Sequence, residues 1–431
     1  MKSVCGGLWT HARFSCNRWN SRRRILSLLV LVTVYCFLSS SLATLYGRKA
    51  KNRIHVHASQ VTAGSGANEQ VKPRFLSTSS ARDHQHLEYE AKLDAAMQDL
   101  ERRALAANGH IQANNTIWQI ILGKFTDMNP VSVEFERRNA GWEYSLVTSA
   151  WATDFVTSVF STIPDLINLY QSYPYDVLRA DLLRYLLLWY YGGFYADLDV
   201  YPARPIRSCP SLEPLFSPSL STPIPASSLN VSFVVGIELD EPYASPQTIK
   251  EWHWTRTYSF IQWTMYAPHR FSPFLRKIVV RVLAHTKQDN SFGLLWRLTS
   301  TSDSVLSITG PGIFTESILD LLSESLPDTH PLITASVEAD REIGDLVVTS
   351  SSGNNQTQPR VTWAPFHRLQ DPLWVDASEG NGMGGIGILP VHVWGNGQRH
   401  SGAENFQSVH ACVNHYFKGT WKKWWWQRLF D

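Results

Sequence analysis

Asp197 and Asp199 stand two residues apart in the run Phe194-Tyr195-Ala196-Asp197-Leu198-Asp199-Val200-Tyr201. Two carboxylates held that close repel each other unless a cation lies between them. Hard oxygen ligands of this kind suit Mn2+ or Mg2+. An ion bound there could also grip a diphosphate and neutralise the charge that develops on a nucleoside-diphosphate leaving group. A bare Asp-x-Asp is just as readily a solvated loop, so the stretch before it matters. From Asp176 to Tyr191 the apolar residues Val177, Leu178, Leu182, Tyr185, Leu186 and Trp189 recur at helical spacing, uninterrupted by Pro or Gly, which predicts a helix buried on most faces. Gly192 and Gly193 end it, and Phe194 to Ala196 restart the chain as a short strand. Strand alternation is expected to send both carboxylates out on one face, with Leu198 turned to the core. Asp181 and Arg184 share a face of the helix and can pair, either as a structural ion pair or because charges among leucines persist where a ligand needs them.

The surrounding elements must hold that unit in place. Thr116 to Ile121 reads as a first buried strand, in which Trp118 fits a core, and Trp142 to Val147 as a second. Ala152 to Tyr170 is expected to be helical on either side of a break at Pro164. Strand and helix alternating in this way predict an α/β sheet with the acidic pair at the carboxyl end of a strand, where open α/β sheets bind ligands. Pro202 to Ala226 is an irregular excursion. Phe233 to Leu239 returns as a strand carrying Glu238 and leading into Asp240; these acids are either an acceptor-site base or nucleophile, or solvated strand-end groups. Tyr258 to Tyr266 and Pro273 to His285 read as helices, Thr309-Gly310-Pro311-Gly312 as a turn, Glu324 to Arg360 as a surface insertion and Gly380 to Gly387 as a mobile glycine loop.

The chain has 431 residues, of which 44% are hydrophobic and 12% aromatic, ample for a large core, and its formal net charge of +2 gives no reason to expect a nucleic-acid partner. Residues 25–46 (ILSLLVLVTVYCFLSSSLATLY) carry no charge and are long enough to cross a bilayer. Arg22, Arg23 and Arg24 precede them, and with Lys2, Arg13 and Arg18 they favour a cytosolic N-terminus. The competing reading is a cleaved signal peptide. The expected organisation is a cytosolic tail (1–24), a transmembrane signal anchor (25–46), a stem with a helical segment (47–110) and a luminal domain (111–431). In the stem, Leu93, Met97, Leu100 and Ala104 form a narrow stripe that either packs on the domain or pairs with a partner chain. Beyond the anchor only Cys209 and Cys412 remain, so one disulfide at most is expected there.

The string ADLLRYLLLWYYGGFYADLDV resembles the signature of glycosyltransferase family 32, the DXD sugar-transferase group. Ile117-Trp118-Gln119, Gln262-Trp263, Thr309-Gly310-Pro311-Gly312 and His415 to Trp421 (HYFKGTW) match it in the same order. Ala180 stands where the family has Ser, and Ile121 where it often has a second Trp. The resemblance covers roughly residues 115 to 425, and it implies a GT-A-like, Rossmann-related nucleotide-sugar-binding fold. It also implies a metal-dependent, retaining transfer of mannose from GDP-mannose to an N-glycan acceptor, in the manner of the family's α-1,6-mannosyltransferases. Carried over residue by residue, Asp197 and Asp199 would be the catalytic metal ligands, with His415 a third. Trp118, Asp181, Arg184 and Tyr195 would contact the donor together with Asp197, Trp118 by stacking on the base. Gln262 and Trp263 would lie on a helix lining the acceptor side. The resemblance further implies a single-pass type II protein of the Golgi membrane, with other Golgi mannosyltransferases as candidate partners. Within the same fold the alternatives are an inositol-phosphorylceramide mannosyltransferase, a galactosyltransferase or a non-catalytic subunit.

Overall fold

A computed structural model describes residues 86–111, 113–123, 130–216, 229–252, 254–288, 308–339, 347–349, 355–357 and 359–417. The expected tail, the span over 25–46, most of the stem, and Trp421 with Trp424 to Trp426 lie outside the described residues. Among those described, no helix is long and apolar enough to cross a membrane.

In chain order the elements are α1 (Leu87–Asn108), β1 (Thr116–Ile121), α2 (Pro130–Arg138), β2 (Glu143–Thr148), α3 (Ser149–Val159), α4 (Pro164–Ser172), α5 (Asp176–Tyr191), β3 (Gly193–Ala196), β4 (Val200–Pro202) and β5 (Phe233–Asp240). There follow α6 (Pro246–Glu251), β6 (Tyr258–Phe260), β7 (Thr264–Ala267), α7 (Pro273–Gln288), α8 (Pro311–Ser325), α9 (Pro331–Ala339), β8 (Val347–Thr349), β9 (Asn355–Thr357), β10 (Leu373–Val375), β11 (Ile386–Leu389), α10 (Val391–Trp394) and β12 (Val413–His415).

The main sheet runs β10-β11-β5-β7-β3-β1-β2, with β6 on β5. β1 is parallel to β2 and β3, and β11 is parallel to β5. β7 lies antiparallel between β3 and β5, so β1, β3, β5 and β11 all point the same way and share one carboxyl end. Because strand side chains alternate, each strand feeds two cores. Trp118 and Tyr195 enter the larger, helix-covered one, and Ile117 and Phe194 enter the other with Trp394, Cys209 and Cys412.

The stripe of α1 packs on the domain: Leu93, Met97, Leu100 and Ala104 are buried. On the same helix Asp94 and Glu101 pair with Arg276 of α7, and Asp94 also with Lys277. α5 is buried along nearly its whole length, polar Asp181 and Arg184 included. It ends where Gly192 and Gly193 adopt φ of 68° and 95°. A Cβ at Gly193 would lie 2.4 Å from the Thr116 carbonyl, so β3 can fold back beside β1 only without a side chain there.

Four expectations are corrected. Tyr258 to Tyr266 is two strands, β6 and β7, and no helix. A continuous apolar run buried on both sides carries no periodicity to separate the two forms. Gly380 to Gly387 is no mobile loop throughout, because Ile386 to Leu389 is a fully buried strand between β10 and β5. The expected surface insertion contains α9, which buries Leu332 and Ile333. Asp197 to Asp199 continue no strand: β3 stops at Ala196, and a turn closed by Val200 N–H on the Asp197 carbonyl (3.1 Å) carries them.

Candidate metal and donor site

A tight turn, more than strand alternation, is what brings the two acids together, and its backbone is pinned from three sides. Asp197 N–H donates to the Trp263 carbonyl at 2.8 Å, beside β7. Gln119, fully buried on β1, donates its Nε2 to the Asp197 carbonyl at 3.0 Å and accepts from Tyr144 Oη at 2.9 Å. The Asp199 carbonyl accepts from Tyr416 N–H at 3.0 Å.

His415 reaches the turn from the far end of the chain. β12 pairs antiparallel with β4, setting His415 against Val200, and the Cys209–Cys412 disulfide ties the same strand to the loop that follows β4. His415 Nε2 lies 3.0 Å from Asp199 Oδ1, and its ring stacks on Trp263 with centroids 4.5 Å apart. Ligand atoms of Asp197, Asp199 and His415 all lie within 4.8 Å of one another.

This set fits a divalent cation. Two carboxylates and an imidazole are the hard and borderline donors that Mn2+ accepts. Asp199 and His415 stand 3.0 Å apart in a direct hydrogen bond, and the three groups lie within 4.8 Å of one another, near enough for one ion to replace that bond with ligand contacts. His415 Nδ1, on the other side of the ring, is buried with no hydrogen-bond partner among the described residues.

Behind the turn lies a buried polar network. Arg184 donates Nη2 to Asp181 Oδ1 at 2.7 Å and Nη1 to the Gln262 carbonyl at 3.0 Å, and Nη1 stands 3.5 Å from Asp197 Oδ1. Its guanidinium also covers the Tyr195 ring at 5.1 Å, while Tyr195 Oη donates to Asp197 Oδ1 at 2.6 Å. Asp181 is completed by Gln262 Nε2 (2.9 Å) on Oδ1 and Thr309 Oγ1 (3.0 Å) on Oδ2. Burial pushes the Asp181 carboxyl up to about 6, with Arg184 pulling the other way. Burial also works against the charge of Arg184, yet Asp197, Tyr195 and Asp181 together hold its guanidinium above its ordinary value.

Of the two acids at the end of β5, only one faces the site. Asp240 is buried, its oxygens taken by His367 Nδ1 (2.8 Å) and Arg368 N–H (2.6 Å). Glu238 accepts from Trp263 Nε1 at 3.1 Å and Ser259 Oγ at 3.5 Å. Burial raises its carboxyl above the usual range, and the fields of His415 and Asp197 reach it from opposite signs.

The structure thus gathers Asp181, Arg184, Tyr195, Asp197, Asp199 and His415. It does not bring Trp118 into an open face: its indole N–H donates to the Gly192 carbonyl at 2.8 Å and its ring packs on Tyr191 and Trp151. Gln262 and Trp263 lie between strands, and on no helix, in contact with Asp181 and His415. Sequence reasoning missed Tyr144, the brace behind Gln119. The signal available was a lone glutamine in an otherwise apolar strand.

Comparison with known proteins falls on the same region. Residues 128–216 match the family model described as a glycosyltransferase sugar-binding region containing the DXD motif. The chain is 22% identical over 290 residues to an initiation-specific alpha-1,6-mannosyltransferase of Candida albicans, covering 67% of this chain and 65% of that protein. It is 24% identical over 353 residues to the protein of that description from Saccharomyces cerevisiae, covering 65% and 71% respectively. Over 81 residues, 16% of this chain and 22% of the relative, it is 38% identical to an inositol phosphoceramide mannosyltransferase of Schizosaccharomyces pombe. The matched region therefore spans just under two thirds of the Candida protein's length.

Proposed function

We propose, from the DXD match, that this chain is a metal-dependent, retaining glycosyltransferase that moves mannose from GDP-mannose to an N-glycan acceptor. Its domain is read as GT-A-like and its location as the luminal side of the Golgi membrane, held there by the N-terminal segment. The observation that carries the reading is the convergence of Asp197, Asp199 and His415 at the carboxyl end of β3, backed by an arginine that neutralises the acid nearer to it. Mannose as the transferred sugar is supported by the names of the three relatives described above, each a mannosyltransferase.

Mn2+ or Mg2+, when held by these residues, would supply Lewis acidity toward the diphosphate. The chain's own groups then have separable tasks. The hydrogen bond between Asp199 and His415 keeps the two side chains adjacent, and Nε2 would give up its proton on taking an ion. Tyr195 and Arg184 take one oxygen of Asp197 and leave the other open. The Asp181 and Arg184 pair, buried and hydrogen-bonded on both carboxylate oxygens, is read as the support that holds Arg184 against Asp197 behind the turn. A cavity of about 250 Å³ at the carboxyl ends of β1 and β2, lined by Ser149, Thr153, Tyr170, Gln171 and Arg179, supports a nucleoside subsite one strand away from Asp197.

Among the described residues no carboxylate stands on the donor face as an obvious nucleophile, which favours departure and attack on one face of the sugar. Glu238 is read as the group that orients the acceptor hydroxyl. Glu238→Gln is expected to lower transfer about 100-fold, in the range of one lost acid–base contact, while hydrolysis of the donor by water falls far less. An equal loss in both reactions would remove the acceptor role. The reading as a whole is tested by supplying GDP- and UDP-sugars with and without Mn2+. Turnover of GDP-mannose that needs the metal is the expected result, and metal-independent turnover, or none, overturns it. A ceramide-linked acceptor consumed in place of the N-glycan would correct the acceptor alone.

A further inference from the structure

Beyond Glu238, β5 leaves the sheet at the same carboxyl end as Asp197, and what gathers there is aromatic and half uncovered. Trp252 and Trp254 stack with centroids 5.6 Å apart and planes at 22°. The edge of His400 meets both rings, at 5.2 and 4.9 Å. Trp252 is 43% exposed and Tyr243, edge-on to Trp363 and His367, is 44% exposed. Large rings left in solvent in a cluster mark a binding surface more often than a core at its edge.

The surface is held in place at a conformational cost. Arg368, Arg399 and Ser401 all adopt positive φ, between 54° and 64°, which disfavours any residue with a side chain. Buried Asp240 fixes the first through Arg368 N–H, and Ser401 Oγ accepts from Asp240 N–H at 2.8 Å. Glu241 Oε1 then joins the two aromatic groups, accepting from Ser401 N–H at 2.6 Å and Arg368 Nη2 at 3.0 Å. The same loop touches the transfer site: Gln398 Nε2 donates to the Glu238 carbonyl at 2.9 Å. His400 follows Gln398 by two residues, within about 7 Å along the chain.

Resting on the transferase reading, we propose that the Trp252–Trp254–His400 face is an acceptor subsite that stacks on a hexose ring of an oligosaccharide, one or more units before the accepting hydroxyl. A pyranose offers a C–H face to a flat ring and hydroxyls at its edge. The site answers with an indole surface rimmed by Glu241 and Arg368. Its place beside Glu238, the acceptor side of the cluster, sets the direction in which the glycan runs.

The test compares a mannose pentasaccharide with methyl α-mannoside as acceptors for the full chain. Trp252→Ala is expected to raise KM for the pentasaccharide about tenfold and leave KM for the monosaccharide unchanged, with Trp252→Phe recovering most of the loss. An unchanged pentasaccharide KM, or an equal rise for both acceptors, overturns the proposal. Fluorescence titration with the pentasaccharide gives a second readout that needs no turnover, and binding there should be weakened by the same variant. A protein that hydrolyses GDP-mannose with Mn2+ but binds the pentasaccharide equally with and without Trp252 fails the subsite alone. One that turns over no nucleotide sugar, yet binds the pentasaccharide through Trp252, upholds the subsite and fails the transferase reading.

Discussion

Asp199→Ala is expected to abolish Mn2+-dependent transfer, lowering kcat/KM by 1,000-fold or more, with no change in far-ultraviolet circular dichroism. The carboxylate sits on a turn with 17% of its side chain exposed and is small, so its loss removes little packing. It does remove the partner that fixes His415 Nε2 at 3.0 Å, so two of the three candidate ligands are affected by one substitution. Removing a positioned electrostatic group alone costs about 100- to 1,000-fold, and losing the ion's contribution adds to that. Asp197→Ala should fall as far and also lower thermal stability, because Tyr195 Oη and Arg184 lose a partner. Transfer by Asp199→Ala within tenfold of the parent protein, still stimulated by Mn2+, would remove this turn from the mechanism.

The second large effect concerns Arg184, and here stability and function fall together. Arg184→Met is expected to cost about 3–5 kcal/mol of folding free energy, the range for breaking a buried ion pair and stranding its partner. The stranded group is Asp181, 2% exposed and left with only Gln262 and Thr309. Denaturant unfolding monitored by tryptophan fluorescence measures the loss, and an unfolding free energy within 1 kcal/mol of the parent would show that the pair holds nothing.

Asp181 also predicts a pH dependence. Its carboxyl is raised to about 6 in the fold against an ordinary value near 4, so between those two pH values the folded state binds the proton and the unfolded chain does not. Stability from this group is therefore highest below about pH 4 and falls as pH rises through 6, by roughly 3 kcal/mol in total. Asp181→Asn should flatten that part of the profile.

Much of this was legible in the chain because its strongest signals are local. The apolar period of Asp176 to Tyr191, the paired glycines and the two acids stand next to one another, and the fold uses them in that order. The illegible part was long-range. Gln262 belongs to a run that reads equally as helix or strand, and its contact with Asp181 exists only because β7 inserts antiparallel beside β3. His415 is 216 residues from Asp199, and only the resemblance to a family named it. Trp118 was ambiguous in another way: its type suits stacking on a base, and alternation along β1 turns it to the helix-covered core while sending Gln119 to the turn.

The bond between Cys209 and Cys412 sits three residues before His415, immediately ahead of the strand that delivers the imidazole to the acids. The bond lies in the smaller core and links the loop after β4 to β12, so a thiol reductant should loosen the grip on Mn2+, measurable by titration before and after reduction. Undiminished Mn2+ affinity after reduction would show the strand is secured by other contacts. A fall in affinity would instead tie metal capture to the oxidising power of the surroundings, leaving chain held in a reducing solution assembled but unable to grip Mn2+.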